Sequence, residues 1–586
     1  MGAFTLSKTE HPLINLEAQK KVFQKKGFIH APDEFDIGDY HLLYFSKIKI
    51  GEKSILKQGN ELLIGVGTFV YEQKYGKKAL TEIYKSIKDG QFDIRQVAGD
   101  FLLLLYDERG MFHFFPVPGY TYNVFYDEDE RLISSSFLAI LEGMDRQFTV
   151  NRHAVVELLL TGNLIGPDTM LKEISRLECI SIFKTGNFIH HWIKPESETI
   201  FEKGRTTKGF DAAVKKQLDF LQHYFQNTKP FIQQKGLCLG LTGGFDSRLL
   251  LGAALSVGIS PRIYSTWRAQ NREEFTHAKN VAEKSGLFLN YRPHVSWQEM
   301  DEESFFDLID ENFWFNDGLI RTHQLWTEEI KTRRYLNGIT GDFQINSSGV
   351  GGEQYRNNAR IRTQKRHAFK PWLTYEVLLK HNDNPFNHKK DLATFLVYME
   401  AKIKALLDLD FSGGIDYLGI KRYYNEIYNP ANRTVRNNIE NQLHYFLSTF
   451  TDFIVSQKAY AAIPWLGADF EFEAAMINRI SPELGQIATD YGFTLLQKIP
   501  RKQRWLTHFK ATVPPVIFWH VYRAKKRGAT RWEQPNRKFS GVDRLADSIN
   551  ALSLPIDPAV IMKSSYLAPL VLELGWFLNK YERKLL

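Results

Sequence analysis

The sequence predicts two fold classes in one chain: an antiparallel, β-rich α+β domain over 1–205, then an α/β domain built on a parallel sheet over 206–586. Three observations predict this. The chain of 586 residues is too long for one ordinary core. Short apolar runs with period-two stretches, separated by acidic and glycine turns, fill the first third, and after residue 210 strand-like and helix-like segments alternate.

In chain order, "YHLLYFSKIKI", "ELLIGVGTFVYE", "GDFLLLLYDERGMFHFFPV" and "YTYNVFYDEDERLISSSFLAIL" read as hairpins of an antiparallel sheet. "TEIYKSIKDG" (81–90) reads as a helix among them, and "KPESETIFEKGRTTKG" as the linker. Then come an amphipathic helix "FDAAVKKQLDFLQHYF", a buried strand "GLCLGL", a helix "DSRLLLGAALSVG", a second strand "RIYSTW" and a helix "NREEFTHAKNVAEKSG". Such alternation is the pattern of a parallel sheet covered on both faces. The remainder is expected to be largely helical, apart from a strand at "YLNGIT" near residue 335.

With 43% apolar residues, including 43 Phe, 26 Tyr and 11 Trp, the composition excludes a disordered chain. Cys179 and Cys238 are the only cysteines, so a disulfide scaffold is not expected and a reducing, cytoplasmic compartment is. The start carries no secretion or myristoylation pattern, and "YLAPLVLELGWFL" (566–578) is short and holds Glu573, so a core helix is expected there and no membrane partner. The segment 498–538 holds twelve basic residues against Glu533 alone. That density suits nucleic acid, an acidic membrane, a bound polyphosphate or a merely solvated face. With no nucleic-acid module beside it, no nucleic-acid partner is expected.

The most informative stretch is "LCLGLTGGFDSRLLLG" (237–252), where a buried strand breaks into two glycines and a helix follows. In such folds ligands sit beyond the carboxyl ends of strands, where the next helix exposes amides. Gly243 and Gly244 let backbone approach a phosphate, Thr242 and Ser247 supply hydroxyls, and Asp246 suits a magnesium ion held between carboxylate and polyphosphate. An ordinary capped strand-to-helix turn is the alternative. The stretch lacks the lysine of a P-loop, the spacing of a dinucleotide fingerprint and the setting of a nucleophilic serine.

This turn resembles the pyrophosphate-binding loop of the asparagine-synthetase-like ATP pyrophosphatases, with Thr242 in place of the usual first serine. The resemblance implies an adenine nucleotide alpha hydrolase-like fold, ATP and Mg²⁺ as cofactors, and AMP-forming activation of a carboxylate to an acyl-adenylate that an amine or ammonia attacks. Thr242, Gly243, Gly244, Asp246 and Ser247 would hold the polyphosphate, Asp246 also the metal, and Glu274 would match the family's acid after the second strand. "YLNGITGDF" resembles the strand leading into a second glycine and acid loop, which makes Asp342 a catalytic candidate and Glu353, in "QINSSGVGGEQY", a displaced acid. "AAIPWLGADF" resembles the family's later Pro-Phe-Leu-Asp segment, with Gly467 where the aspartate is expected and Asp469 two residues on. Lys502 or Lys525 resembles the lysine beside the leaving group. Tyr423, Tyr424 and Glu426 offer the tyrosine and glutamate pair of β-lactam-forming relatives, or helix packing.

The first domain resembles the glutaminase domain joined to asparagine synthetases, with Gly99, Phe101, Tyr106, Asp107 and Gly119 in step. That chemistry needs a thiol on the residue exposed after Met1, and this chain has Gly2. The resemblance therefore implies a ligase without its own glutamine hydrolysis, as in the β-lactam synthetase and lasso-peptide cyclase branches. A small-molecule or peptide carboxylate and an amine or ammonia are its expected partners, with a homodimer left open. An intramolecular cyclase and a catalytically degenerate scaffold are the alternatives.

Overall fold

The computed structural model describes residues 2–119, 122–177, 184–185, 188–191, 206–267, 272–293, 300–319, 333–356, 367–378, 381, 383–467, 470–489, 492–496, 505, 538–564 and 567–586. Its N-terminal part is two six-stranded sheets packed face to face. The first has the order β12-β10-β11-β1-β3-β2, with β1 Ala3–Lys8, β2 Asp33–Ile37, β3 Tyr40–Phe45, β10 Phe125–Asp127, β11 Leu132–Ser134 and β12 Ile174–Arg176. The second has the order β13-β14-β9-β8-β5-β4, with β4 Ile55–Gln58, β5 Glu61–Gly67, β8 Phe101–Tyr106, β9 Phe112–Pro116, β13 Lys184–Thr185 and β14 Phe188–His190. Every pairing is antiparallel except β14 with β9. A two-stranded hairpin, β6 Val70–Tyr71 and β7 Lys74–Tyr75, leads into the helix at 76–88.

Alternation along the strands explains the layering, because successive side chains leave opposite faces. In β3, Leu42 and Tyr44 enter the core shared with Leu63 and Leu103 of the second sheet. Leu43 and Phe45 turn the other way, toward Phe23 of α1 (Leu16–Lys26) and Phe137 of the later helix 137–143. The expected helix at 81–90 is α2, Gly76–Lys88, which begins five residues earlier because Ala79 and Leu80 bury against the second sheet. Helices α3 (Phe137–Gly143) and α4 (Arg152–Thr161) finish this part.

The C-terminal part is a five-stranded sheet in the order β17-β16-β15-β18-β19, parallel throughout. Its strands are β15 Leu237–Gly240, β16 Arg262–Trp267, β17 Leu289–Pro293, β18 Ile345–Ser348 and β19 Tyr445–Leu447. Around it lie α5 (Thr207–Lys235), α6 (Phe245–Ser256), α7 (Arg272–Lys284), α8 (Glu302–Phe315), α9 (Arg333–Thr340), α10 (Phe369–Leu378), α11 (Lys389–Leu407), α12 (Tyr417–Arg422), α13 (Asn429–Leu443), α14 (Phe453–Ala459), α15 (Glu471–Ile480) and α16 (Pro482–Gly485). The chain builds outward from β15 to β16 and β17, then returns to add β18 and β19 on the other side. Strand order therefore reverses between β15 and β18, where such sheets open a crevice beyond their carboxyl ends.

"YLNGIT" is not the expected strand; it lies in α9, with Leu336 and Ile339 buried one turn apart. The strand is "INSS", residues 345–348, which is buried yet polar. Two of its polar groups are answered, since Asn346 donates to Glu440 at 3.1 Å and the Ser347 hydroxyl donates to the Leu447 carbonyl at 2.6 Å, whereas Asn346 Oδ1 and Ser348 Oγ are buried without a hydrogen-bond partner among the described residues.

The segment expected as a core helix near the C-terminus is helical over Ala568–Lys580, with Leu570, Val571, Leu572 and Leu574 buried. Among the described residues no helix is long and apolar enough to cross a membrane. The two parts meet through buried polar contacts. Lys26 reaches Asp317 at 2.7 Å, the Gly99 amide donates to Asp452 at 2.6 Å, and the Asn123 amide donates to Asn438 at 2.9 Å.

Candidate functional site

The apolar strand β15 and the buried Leu249, Leu250 and Leu251 of α6 pin both sides of the Thr242–Gly244 turn. Gly244 caps α6 in an extended conformation, and Asp246 and Ser247 occupy the helix's first turn. The turn is laced by its own hydroxyls: Ser247 Oγ accepts from the Thr242 amide at 3.0 Å, and Thr242 Oγ1 accepts from the Gly244 amide at 3.3 Å. Arg248, fully buried, donates to the carbonyls of Gly243 (3.2 Å), Leu484 (3.1 Å), Ile487 (2.7 Å) and Ala488 (3.2 Å). It ties the glycine turn to α16 and the segment after it, a role that the sequence reading missed.

Directly opposite, beyond the carboxyl end of β18, lies a second glycine loop, 349–352. A β-carbon on Gly349 would sit 2.5 Å from the Ser247 amide nitrogen, and one on Gly352 would run into the Asp246 carboxylate. Only glycines allow the two loops to approach this closely. Behind them stands a cluster of charges. Arg356 donates to Asp246 at 2.5 Å and also to Glu473 of α15, while Arg433 of α13 pairs with Glu353. Lys421 of α12 donates to the Arg356 carbonyl at 2.8 Å.

Electrostatics follow from this crowding. Burial, then the charge of Glu473, pushes the Asp246 carboxyl well above its usual range, against the pull of Arg356. Burial likewise raises Glu473, again against Arg356. For Glu353 burial also opposes ionisation, but Arg433 and Arg356 outweigh it and hold the group below its usual value. Burial pushes the Lys421 ammonium down to about 8, with Glu353 opposing.

The structure brings some of the sequence candidates together. Thr242, Gly243, Gly244, Asp246 and Ser247 form the turn itself, and Glu274 lies in the first turns of α7 beside it: a β-carbon on Gly243 would meet His277 Cβ at 2.8 Å and the Glu274 carbonyl at 3.4 Å. Glu353 is in the facing loop. Asp342 is not brought there. It precedes β18 and so lies at the opposite, amino-terminal edge of the sheet, exposed, in a stretch whose neighbours Thr340 and Phe343 accept hydrogen bonds from Lys49. Glu426 takes a double ion pair from Arg422 and a hydrogen bond from Tyr460 at 3.1 Å, while the Tyr424 hydroxyl donates to Glu376 instead. Lys502, Lys525, Asp469 and Cys179 lie outside the described residues. Arg356, Lys421, Arg433 and Glu473 were missed by the sequence reading. Their charges are scattered over more than a hundred residues, and only the fold gathers them.

Residue 2 has no room for any side chain. A β-carbon on Gly2 would lie 2.8 Å from the Phe28 ring, 2.8 Å from the Ser46 carbonyl and 3.0 Å from Lys47 Cα.

The donors fit a magnesium ion of one kind. Among the described residues no three His, Cys, Asp or Glu side chains are placed to hold a metal between them. Mg²⁺ commonly takes one or two carboxylates and finds its other ligands in phosphate and water. Asp246, whose side chain is 28% exposed, with the buried Glu473 behind it, suits that partial set. Against known proteins, no family model and no curated protein matches the chain.

Proposed function

We propose that the 242–247 turn and the facing 349–356 loop form the nucleotide site of an ATP-dependent, AMP-forming ligase that joins a carboxylate to an amine or to ammonia. The observation that carries this reading is the position of Asp246 and Ser247. Both sit in the first turn of α6, at the reversal point between β15 and β18, facing a cluster that supplies three cations.

In this reading the amides of the turn and the hydroxyls of Thr242 and Ser247 bind polyphosphate oxygens, and Gly243 and Gly244 keep side chains out of their way. Asp246, backed by Glu473, holds Mg²⁺, which when bound offsets charge growing on the departing pyrophosphate. Arg356 then serves Glu473 and the nucleotide where it now serves Asp246. Lys421 and Arg433 contribute fixed positive charge in a partly dry cleft, where such charge acts more strongly than in water. On this account the fold is adenine nucleotide alpha hydrolase-like. The N-terminal sheets are a glutaminase-like scaffold without its nucleophile, which the closed space around Gly2 supports.

The test is product analysis. ATP and Mg²⁺ are incubated with a panel of carboxylic acids, each with ammonium or a primary amine. AMP and pyrophosphate in equal amounts are expected for the cognate pair; ADP and phosphate would refute the proposal.

A further inference from the structure

Where α12 passes into α13, Tyr423–Tyr428 form a π-helical turn. Such widened turns are often found at functional sites. Three of the six residues are tyrosines whose rings pack on one another. Centroid separations are 5.3 Å for Tyr423 and Tyr424, 5.7 Å for Tyr424 and Tyr428, and 6.0 Å for Tyr423 and Tyr428. Tyr424 meets the other two rings at 68° and 83°. Three aromatic rings therefore form one wall.

That wall borders a cavity of about 120 Å³, completed by Glu376 and Val377 of α10 and Met399 of α11, among others. Glu376 accepts the Tyr424 hydroxyl at 2.6 Å. The space exceeds that of a single water, whose share of liquid volume is about 30 Å³. Its chemistry is selective. Ring faces are the negative side of the aromatic quadrupole and attract cations. The carboxylate adds charge of the same sign, and Val377 and Met399 offer apolar surface to alkyl groups. Among the described residues lining the cavity there is no lysine or arginine. A hard metal ion would need more oxygen ligands than one carboxylate supplies.

We propose that this cavity binds a small alkylammonium group, such as a methylated or short-chain organic amine in its charged form. The cavity shares no residue with the 242–247 turn or the 349–356 loop, so the proposal stands independently of the ligase reading.

The test uses the full chain, without ATP, carrying ¹³C-methyl methionine, with the Met399 signal assigned through Met399→Leu. Tetramethylammonium and butylammonium chlorides are titrated against sodium chloride of equal ionic strength and against neutral tert-butyl alcohol. Saturable displacement of the Met399 methyl resonance by the ammonium ions, several-fold tighter than by the alcohol, is expected. Glu376→Gln and Tyr428→Leu should each weaken ammonium binding about fivefold or more, while Tyr428→Phe, which keeps the ring, should stay within about twofold of the parent. An unmoved Met399 signal in the parent, or an equal response to alcohol and ammonium, overturns the proposal without recourse to any variant. Ammonium binding untouched by both disruptive substitutions overturns it as well.

Discussion

Asp246 is held by two opposing demands. The first turn of a helix favours its negative charge, while burial beside Glu473 disfavours it, and Arg356 bridges the two carboxyl groups. A side chain so placed contributes little to packing and much to local charge. Asp246→Asn is accordingly expected to lower the rate of AMP formation by about a hundredfold or more. The thermal midpoint should change little, and comparing the two measurements separates the roles. Gly352→Ala makes a steric test of the same contact. The added methyl has nowhere to go except into the Asp246 carboxylate, so the loops must part. Activity and stability should both fall, the latter by about 1–3 kcal/mol, as read from denaturant midpoints. At the other end of the chain, Gly2→Cys should not create glutamine hydrolysis, because the added β-carbon would have to displace Phe28 or the Ser46 carbonyl. Glutamate release no greater than the parent's, with a lowered thermal midpoint, is the expected result.

At the scale of elements, β18 shows why part of the site was legible and part was not. The strand β15 and helix α6 announce themselves as apolar runs around two glycines, so the first loop could be placed from its residues alone. In β18 all four positions are buried, three of them the polar Asn346, Ser347 and Ser348, and no hydropathy pattern marks a strand of that composition. Its partner is equally polar: α13 buries Asn437, Asn438, Glu440, Asn441 and Gln442. The second loop, 349–352, follows this polar strand and not the apolar "YLNGIT", so the acid beyond the strand's carboxyl end is Glu353, and Asp342 lies before the strand. The polar strand is also a specific liability. Asn346→Val would leave Glu440, which His444 also contacts at 3.2 Å, without one of its donors. A loss of about 1–3 kcal/mol in unfolding free energy is expected.

For the whole molecule, the seam between the two parts carries a pH dependence that can be worked out from Asp452. Its carboxyl is fully buried in the folded chain, where it accepts from the amides of Gly99 and Ile454. Burial raises it from the usual 3.8 to about 7, with those amides pulling in the opposite direction. The folded chain therefore holds this proton more tightly than the unfolded one does. Its contribution to stability is fully present below about pH 4 and is lost as pH rises toward about 7, by an amount on the order of a few kcal/mol. Asp452→Asn removes the titration. The difference in thermal midpoint, parent minus variant, should decline from pH 5 to pH 8; a constant difference would show that Asp452 is ionised throughout.

The architecture of antiparallel sheets followed by a parallel sheet is readable from short apolar runs between turns, because Leu42 to Phe45 and Leu237 to Leu239 stand out as such runs. The charge cluster was not. Asp246, Glu353, Arg356, Lys421, Arg433 and Glu473 become neighbours only through the reversal of strand order. If that convergence marks a nucleotide site, binding can be measured without knowledge of the acid or the amine. The α,β-methylene analogue of ATP, which resists AMP-forming cleavage, is titrated calorimetrically into the parent and into Asp246→Asn with and without Mg²⁺. Saturable binding that requires Mg²⁺ and weakens about tenfold or more in the variant is expected. Equal affinity in both proteins, or no binding to the parent, would contradict the account.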